Sequence, residues 1–442
     1  MYQRATKMEL FLFSLVVIFL SGAPGSLYVK LFNYAPPTPE VLLSIPVLLL
    51  MLLNMLLRVR ATLTGVIACW TWVAIALLAV TSYTWSVSPA DTIREAIVML
   101  IVVTYLGMVA GIANWEDIIK CVWRSCLLLI VISFILYVGI PKLGKMQEVY
   151  EGALVGPWFE KNATGQFFLW AGLTNLAYLA IKPKRILIAS FFVVVCFIGL
   201  ILTKSTTALL AYLVVIAFFM LVGVLRRNVI ISVPATLLIV AAMVPLFLYT
   251  DGDASGLLEG LGKSGTLTGR IPIWQAIIDY SLHDKPLLGH GYSAYWADQY
   301  AFGSRALVYD ELDFTVHHSH NALIEARLDL GWIGAALLAA ALLQTIFMSL
   351  IRLRSSNGAY FAIPFCIAVI MVGAVETSPA GVRNLSGFLF VLTLAKMTLN
   401  PSRSDRLSGF WHYMKKLAAG RKNLVSSPAF SPAYPVARAD IV

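Results

Sequence analysis

Charge is what this sequence has least of. Only 13% of its 442 residues are Asp, Glu, Lys or Arg, about half the share of a soluble domain. So few ionisable side chains cannot coat a water-facing surface, which excludes a soluble enzyme with a single anchor. Low charge with high apolarity also excludes a disordered chain. Cysteine is scarce as well: Cys69, Cys121, Cys126, Cys196 and Cys366 all fall inside or at the ends of apolar runs, with no CxxC pair. They read as small core residues, and neither a disulfide framework nor a cysteine metal site is indicated. There is no internal repeat, and the long unbroken apolar runs are not the alternating strands of an outer-membrane barrel. What the chain does have is hydrocarbon: 59% of its residues are apolar or aromatic and the mean hydropathy is +0.81. At about 20 residues per helix, that inventory fills about a dozen membrane spans.

Apolar runs bounded by charge, Pro or Gly lie at about 8–21, 39–57, 63–82, 96–113, 121–140, 166–181, 186–202, 207–225, 228–249, 320–350, 359–376 and 385–398. They predict an all-α polytopic membrane protein of about twelve transmembrane helices. The first run has no small-residue cleavage site before the next, so it is read as a helix and not as a signal peptide. Four regions follow: helices 1 to 9 over 1–249, a large loop over 250–319, helices 10 to 12 over 320–398, and a basic tail over 399–442. If the spans alternate, 21 of the 33 Lys and Arg fall on one side and 12 on the other. By the positive-inside rule the richer side is the cytoplasm, with both termini in it and the large loop outside. The net charge of +10 is then largely a topology signal, and no basic cluster suits nucleic acid. The tail, rich in Ser and Pro, reads as a membrane-surface segment.

The outer loops carry the chemistry. Loops of this length between spans are usually functional, and Ile273-Trp-Gln-Ala-Ile-Ile278 gives the large one helical periodicity. Five of the six histidines, His283, His290, His317, His318 and His320, sit in it or at its junction with the next span. Were the chain helical from His320 onward, His320 and Arg327 would share one face. A base able to take a proton from a hydroxyl would then sit beside a guanidinium able to grip phosphate oxygens. An interfacial histidine cluster bonded to loop backbone explains the same residues, and the two readings stand level on charge and position alone. Zinc on His317, His318, His320 and Asp313 is disfavoured, because HHxH lacks the i, i+4 spacing of a metalloprotease helix. Glu325 points about 140° from His320 on an ideal helix and is not its partner. Singly, outward cations such as Lys161, Lys263 and Arg383 read as snorkelling anchors. Arg94, Lys204, Arg270 and Arg327, by contrast, approach the outer leaflet from four separate parts of the chain, as a diphosphate headgroup there would require. The loop's acidic excess suits contacts to sugar hydroxyls.

These stretches resemble the O-antigen ligase and polymerase superfamily, bacterial membrane glycosyltransferases of the GT-C type. His320-Asn321, nine residues, then Gly331-x-x-Gly334 resembles the ligase signature. Thr266-Leu-Thr-Gly-Arg270-x-x-x-Trp274, with Lys285-Pro-Leu-Leu-Gly289-His-Gly291, resembles the ExoQ-like exopolysaccharide polymerase branch. Trp85-Ser-Val-Ser-Pro89 running into Arg94 and Phe159-Glu-Lys161-Asn162-x-x-Gly165 add to it. The resemblance implies an undecaprenyl-diphosphate-linked oligosaccharide donor used at the periplasmic face of the inner membrane, with neither cofactor nor metal. The acceptor would be a glycan, either another lipid-linked repeat unit or the lipid A core. His320 would be the catalytic base. Arg270, Arg94, Lys204 and Arg327 would bind the diphosphate, with His317, His318, Lys161 and Asn162 as secondary contacts. One departure is Lys204, where members commonly place an arginine; a lysine is a point charge and gives no bidentate fork. The Thr-Gly-Arg loop tilts the expectation toward a polymerase. A transporter of lipid-linked glycan is the rival of another class, and it fits less well because the spans are almost free of charge.

Overall fold

The computed structural model of the chain describes residues 4–32, 38–147, 150–225, 270–297, 304–312 and 316–399. The span expected at 228–249, residues 250–269 of the large loop, Asp313 and the basic tail after Leu399 lie outside them. Among the described residues every regular element is a helix; Lys145 and Leu154 form one isolated antiparallel bridge.

Each of the other apolar runs carries helix, and local sequence explains where the helices begin. Helix α1 (Lys7–Leu20) starts with a capping box in which the Thr6 hydroxyl accepts from Glu9 N–H and the Glu9 carboxylate accepts from Thr6 N–H, satisfying two orphan donors reciprocally. After α2 (Ala23–Phe32), α3 (Thr38–Leu57), α4 (Val59–Ala68) and α5 (Trp70–Thr81), Pro89 opens α6 (Pro89–Ile112) at a position where no N–H is needed. Asn114 caps α7 (Trp115–Gly139) through Asp117 N–H. The short α8 (Pro141–Gly144) precedes α9 (Lys161–Ile181), α10 (Ile186–Thr203) and α11 (Thr206–Leu225). Helices α12 (Arg270–Tyr280) and α13 (Ser304–Leu312) belong to the large loop, and α14 (Ala322–Ile351), α15 (Ala359–Gly373) and α16 (Leu385–Thr398) complete the order.

Among the described residues, five helices are long and apolar enough to cross a bilayer: α6, α7, α10, α11 and α14. The number rises to seven if the bent pairs α1–α2 (53°) and α3–α4 (102°) each make one span. Among the described residues the other expected runs do not meet this criterion, for physical reasons visible in the chain. At 1.5 Å per residue, the 15 residues of α15 and the 14 of α16 are shorter than the ~30 Å of hydrocarbon, and both are buried among other helices. Helix α9 is nearly enclosed too, although it carries Lys161, Asn162, Gln166 and Asn175. The run at 63–82 is two helices, not one. They meet at Cys69, whose backbone leaves the helical region, and Gln344 of α14 donates to the Ala68 carbonyl there while accepting from Thr71.

Helices α6, α9, α15 and α16 form the centre of the main core. Small residues let neighbours close in, as expected in a membrane bundle: a Cβ on Gly65 of α4 would fall 2.1 Å from the Gly107 carbonyl of α6. Helices α12 and α13 pack on each other around a second, smaller core that includes Ile273, Ile277, Val308 and Leu328. The expectation that the large loop is partly helical holds on these two elements.

Candidate active site

Three separate parts of the chain converge on one carboxylate, and a fourth reaches it through Asn162. Glu376 lies in the turn after α15 and is only 8% exposed. Its Oε1 accepts from Arg270 Nη2 at 2.7 Å and from Asn162 Nδ2 at 3.0 Å. Its Oε2 lies 3.7 Å from His320 Nδ1, an ionic contact longer than a hydrogen bond. Asn162 in turn accepts from the Ser205 hydroxyl at 3.2 Å. Arg270 is the first residue of α12, Asn162 is in the first turn of α9, and Ser205 precedes α11.

Asn321 places the histidine. Its side-chain oxygen caps α14 through the N–H groups of Leu323 and Ile324, and its amide donates to the Ala374 carbonyl at 3.0 Å, tying the start of α14 to the end of α15. His320 sits just outside the helix with a left-handed φ of 53°, a conformation that costs a non-glycine residue of order 1 kcal/mol and is held only by its surroundings. Ser319 N–H donates to Glu325, and Trp274 of α12 donates to the Ser319 carbonyl at 2.8 Å. The expected shared face of His320 and Arg327 is therefore corrected. The helix begins at Ala322, and Arg327 lies over the Trp332 ring at 3.8 Å.

The other expected residues fall at graded distances from this centre. His318 packs ring to ring with His320, centroids 3.9 Å apart, and its Nδ1 has no partner among the described residues. Burial, then the neighbouring His320, pushes its pKa down to about 4. Burial alone would raise the Glu376 carboxyl. The His320 contact and the positive charge of Arg270 outweigh it and hold that carboxyl below its ordinary value. Lys161 donates to the Lys204 carbonyl at 3.3 Å and lies over the Tyr150 ring. Lys204, itself at φ 54°, turns its ammonium to the Glu151 carbonyl at 2.9 Å. His317 is exposed. Arg94, on the first turns of α6, is bridged to Asp91 at 2.9 Å and Glu95 at 3.2 Å. Arg383 meets the same Glu95 at 2.6 Å. Among the described residues, no three His, Cys, Asp or Glu gather as metal ligands.

Two openings flank the centre. One, of about 250 Å³, is bordered by His318, Glu376, Arg383 and the α9 side chains Gln166 and Trp170. The other, of about 260 Å³, runs between α14 and α15 under Asn321 and is otherwise lined by apolar residues such as Leu338, Leu342 and Ile370.

Sequence reasoning missed Glu376 and Ser205. Glu376 did leave a signal, being the sole acidic residue between Asp329 and Asp405; an acid kept in so apolar a stretch marks function by default. Ser205 left none.

Residues 191–339 of the chain match the O-antigen ligase family. The chain is also 26% identical over 373 residues to the exopolysaccharide production protein ExoQ of Rhizobium meliloti (strain 1021), an alignment covering 78% of this chain and 81% of that protein. The resemblance read from the His320-Asn321 and Thr-Gly-Arg stretches is thereby borne out. The family match includes Lys204, Arg270, His318, His320 and Arg327, begins after Arg94, Lys161 and Asn162, and ends before Glu376.

Proposed function

We propose that this chain is an inner-membrane glycosyltransferase that polymerises an undecaprenyl-diphosphate-linked glycan at the periplasmic face. The observation that carries the reading is the junction at Glu376, which brings a guanidinium and an imidazole to the two oxygens of one buried carboxylate. With Nδ1 turned to Glu376, the Nε2 of His320 is the nitrogen offered to an acceptor hydroxyl, and the carboxylate supports the imidazolium that forms. The acceptor oxygen bonds to the anomeric carbon of the donor, the bond from that carbon to the phosphate oxygen breaks, and its electron pair leaves with the diphosphate. The hydroxyl proton passes to His320. Arg270 spends one nitrogen on Glu376 and offers the rest of its fork to the departing diphosphate. Lys204 and Lys161, one helix end away, add positive charge. Arg94, bridged to Asp91 and Glu95, is a further cation for the diphosphate in this reading.

The apolar cleft under Asn321 supports a lipid-linked donor, because its wall is apolar apart from Asn321, the residue next to the proposed base. The full bundle in this reading has about twelve spans in a GT-C arrangement, with both termini in the cytoplasm. A ligase joining glycan to lipid A core is the second reading, favoured by the family match over 191–339; a transporter of lipid-linked glycan is the alternative of another class.

The test is mass analysis of products after mixing purified protein with lipid-linked repeat units alone. Polymer of increasing length is expected. Product only when a lipid A core acceptor is added would make the chain a ligase, and movement of lipid-linked glycan across vesicles with no transfer would make it a transporter. His320→Ala is expected to slow transfer by ~10²- to 10⁴-fold, the usual worth of a general base.

A further inference from the structure

The opening beside His318 and Glu376 has features the reaction itself does not use. Three of the buried polar atoms that lack a partner among the described residues belong to side chains on its wall: Trp170 Nε1, Ser386 Oγ and His318 Nδ1. Trp170 and Ser386 are each only 1% exposed. Leaving a buried donor or acceptor unmatched is costly, so three around one space mark it as built for a polar occupant. Gln166 is held ready by the Ser378 hydroxyl, which donates to its Oε1 at 2.6 Å and leaves its amide N–H groups for something else. The apolar side is aromatic: Trp158 and Phe167 lie against each other, centroids 4.6 Å apart, and both border the cavity.

Flat aromatic walls with scattered hydrogen-bonding groups match a pyranose, which has apolar C–H faces and a rim of hydroxyls. The volume of about 250 Å³ leaves room for a sugar ring. The cleft on the other side of His320 has only Asn321 as a polar residue on its wall, so the two openings are sorted by polarity.

We infer that the cavity between α9 and the start of α16 is a subsite for a single pyranose ring of the glycan, held by Trp170, Ser386, Gln166 and His318 so that a ring hydroxyl or the anomeric carbon faces His320. The inference rests on the proposed transferase reading for the identity of the ring, and it leaves two sources of the same chemistry, the terminal sugar of the acceptor or the first sugar of the donor.

Binding is read apart from turnover. Protein in lipid nanodiscs is titrated with methyl pyranosides of glucose, galactose, mannose and N-acetylglucosamine and followed by saturation-transfer NMR. At least one pyranoside is expected to receive saturation. Its apparent Kd is expected to rise ~5- to 10-fold in the Trp170→Phe/Ser386→Ala double variant, as the loss of two hydrogen bonds implies. Ser378→Ala, which only frees Gln166, keeps the test open should the double variant fold poorly; a weaker rise in Kd is expected there. No saturation of any pyranoside, or an unchanged Kd in the folded variants, overturns the subsite. In the transfer assay, a higher KM for acceptor glycan at constant donor KM assigns the ring to the acceptor, and the converse assigns it to the donor. A wild type that transfers nothing yet binds a pyranoside through these residues would remove the proposed reaction and leave the subsite standing.

Discussion

Glu376 is the residue whose removal separates positioning from proton transfer. Glu376→Gln keeps the size and a hydrogen bond to Arg270 but withdraws the charge facing His320 Nδ1. Transfer is expected to fall by ~10²-fold or more in kcat, with KM for the donor little changed and with the acid limb of the pH–rate profile displaced; an unchanged profile would leave Glu376 merely structural. His318 gives a second handle. Its folded pKa of about 4 lies below the ordinary 6.5, so the unfolded chain binds the extra proton first as pH falls. The stability this histidine contributes is full above pH 6.5 and is lost as pH drops from there toward 4. Glu376, also depressed, loses its contribution in the same direction at lower pH. Thermal unfolding of the wild type in detergent should therefore weaken between pH 6.5 and 4, and His318→Gln should flatten that interval. At this scale the sequence was readable wherever residue type and spacing coincide, as at His320, Asn321 and Arg270. Glu376 escaped because its partners lie 56 or more positions away along the chain, at His320, Arg270 and Asn162, and no local spacing encodes such a meeting.

At the level of elements, the glycines of the Gly331-x-x-Gly334 stretch are explained by a break in α14. Gly331 has φ 64° and ψ −161°, a region essentially closed to residues with a Cβ. There the helix ladder opens and the segment Pro286–Gly291 fills it: His290 N–H donates to the Leu328 carbonyl, Gly291 N–H to Asp329, and Trp332 N–H back to Pro286. Two motifs read separately in the sequence are thus one structure, with backbones so close that a Cβ on Gly331 would fall 2.2 Å from the Leu287 carbonyl carbon. Gly331→Ala is expected to destabilise by at least ~2 kcal/mol and to lower the unfolding midpoint. Gly139→Ala, where an added Cβ meets nothing within 4 Å, should shift it by less than ~0.5 kcal/mol. Periodicity placed the helix at 320–350 but could not place its start or its break, since Asn321 capping and the Gly331 turn both depend on contacts with α15 and the large loop.

For the whole molecule, polarity sorts the bundle: its enclosed helices carry the functional side chains and its lipid-facing helices carry almost none. Helix α9 presents Lys161, Asn162 and Gln166 at one end, whereas α10 carries no charged residue and exposes Leu187, Phe191, Val194 and Ile201. The converging groups His320, Arg270, Asn162, Ser205 and Glu376 all sit at helix ends, which requires those ends to share one side of the membrane. The basic clusters at Lys182 with Lys184 and Arg185, and at Arg352 with Arg354, fall at the opposite ends of helices whose other ends carry converging groups, where α9 meets α10 and α14 precedes α15. Such a split is what the positive-inside rule turns into orientation. Alkaline phosphatase, active only outside the cytoplasm, is therefore expected to be active when fused after Leu282, near the converging groups, and inactive when fused after Arg354. A fluorescent protein that matures only in the cytoplasm should report the reverse. Equal phosphatase activity at both positions would undo the orientation and, with it, the placement of the proposed reaction on the periplasmic face, while leaving the junction at Glu376 untouched.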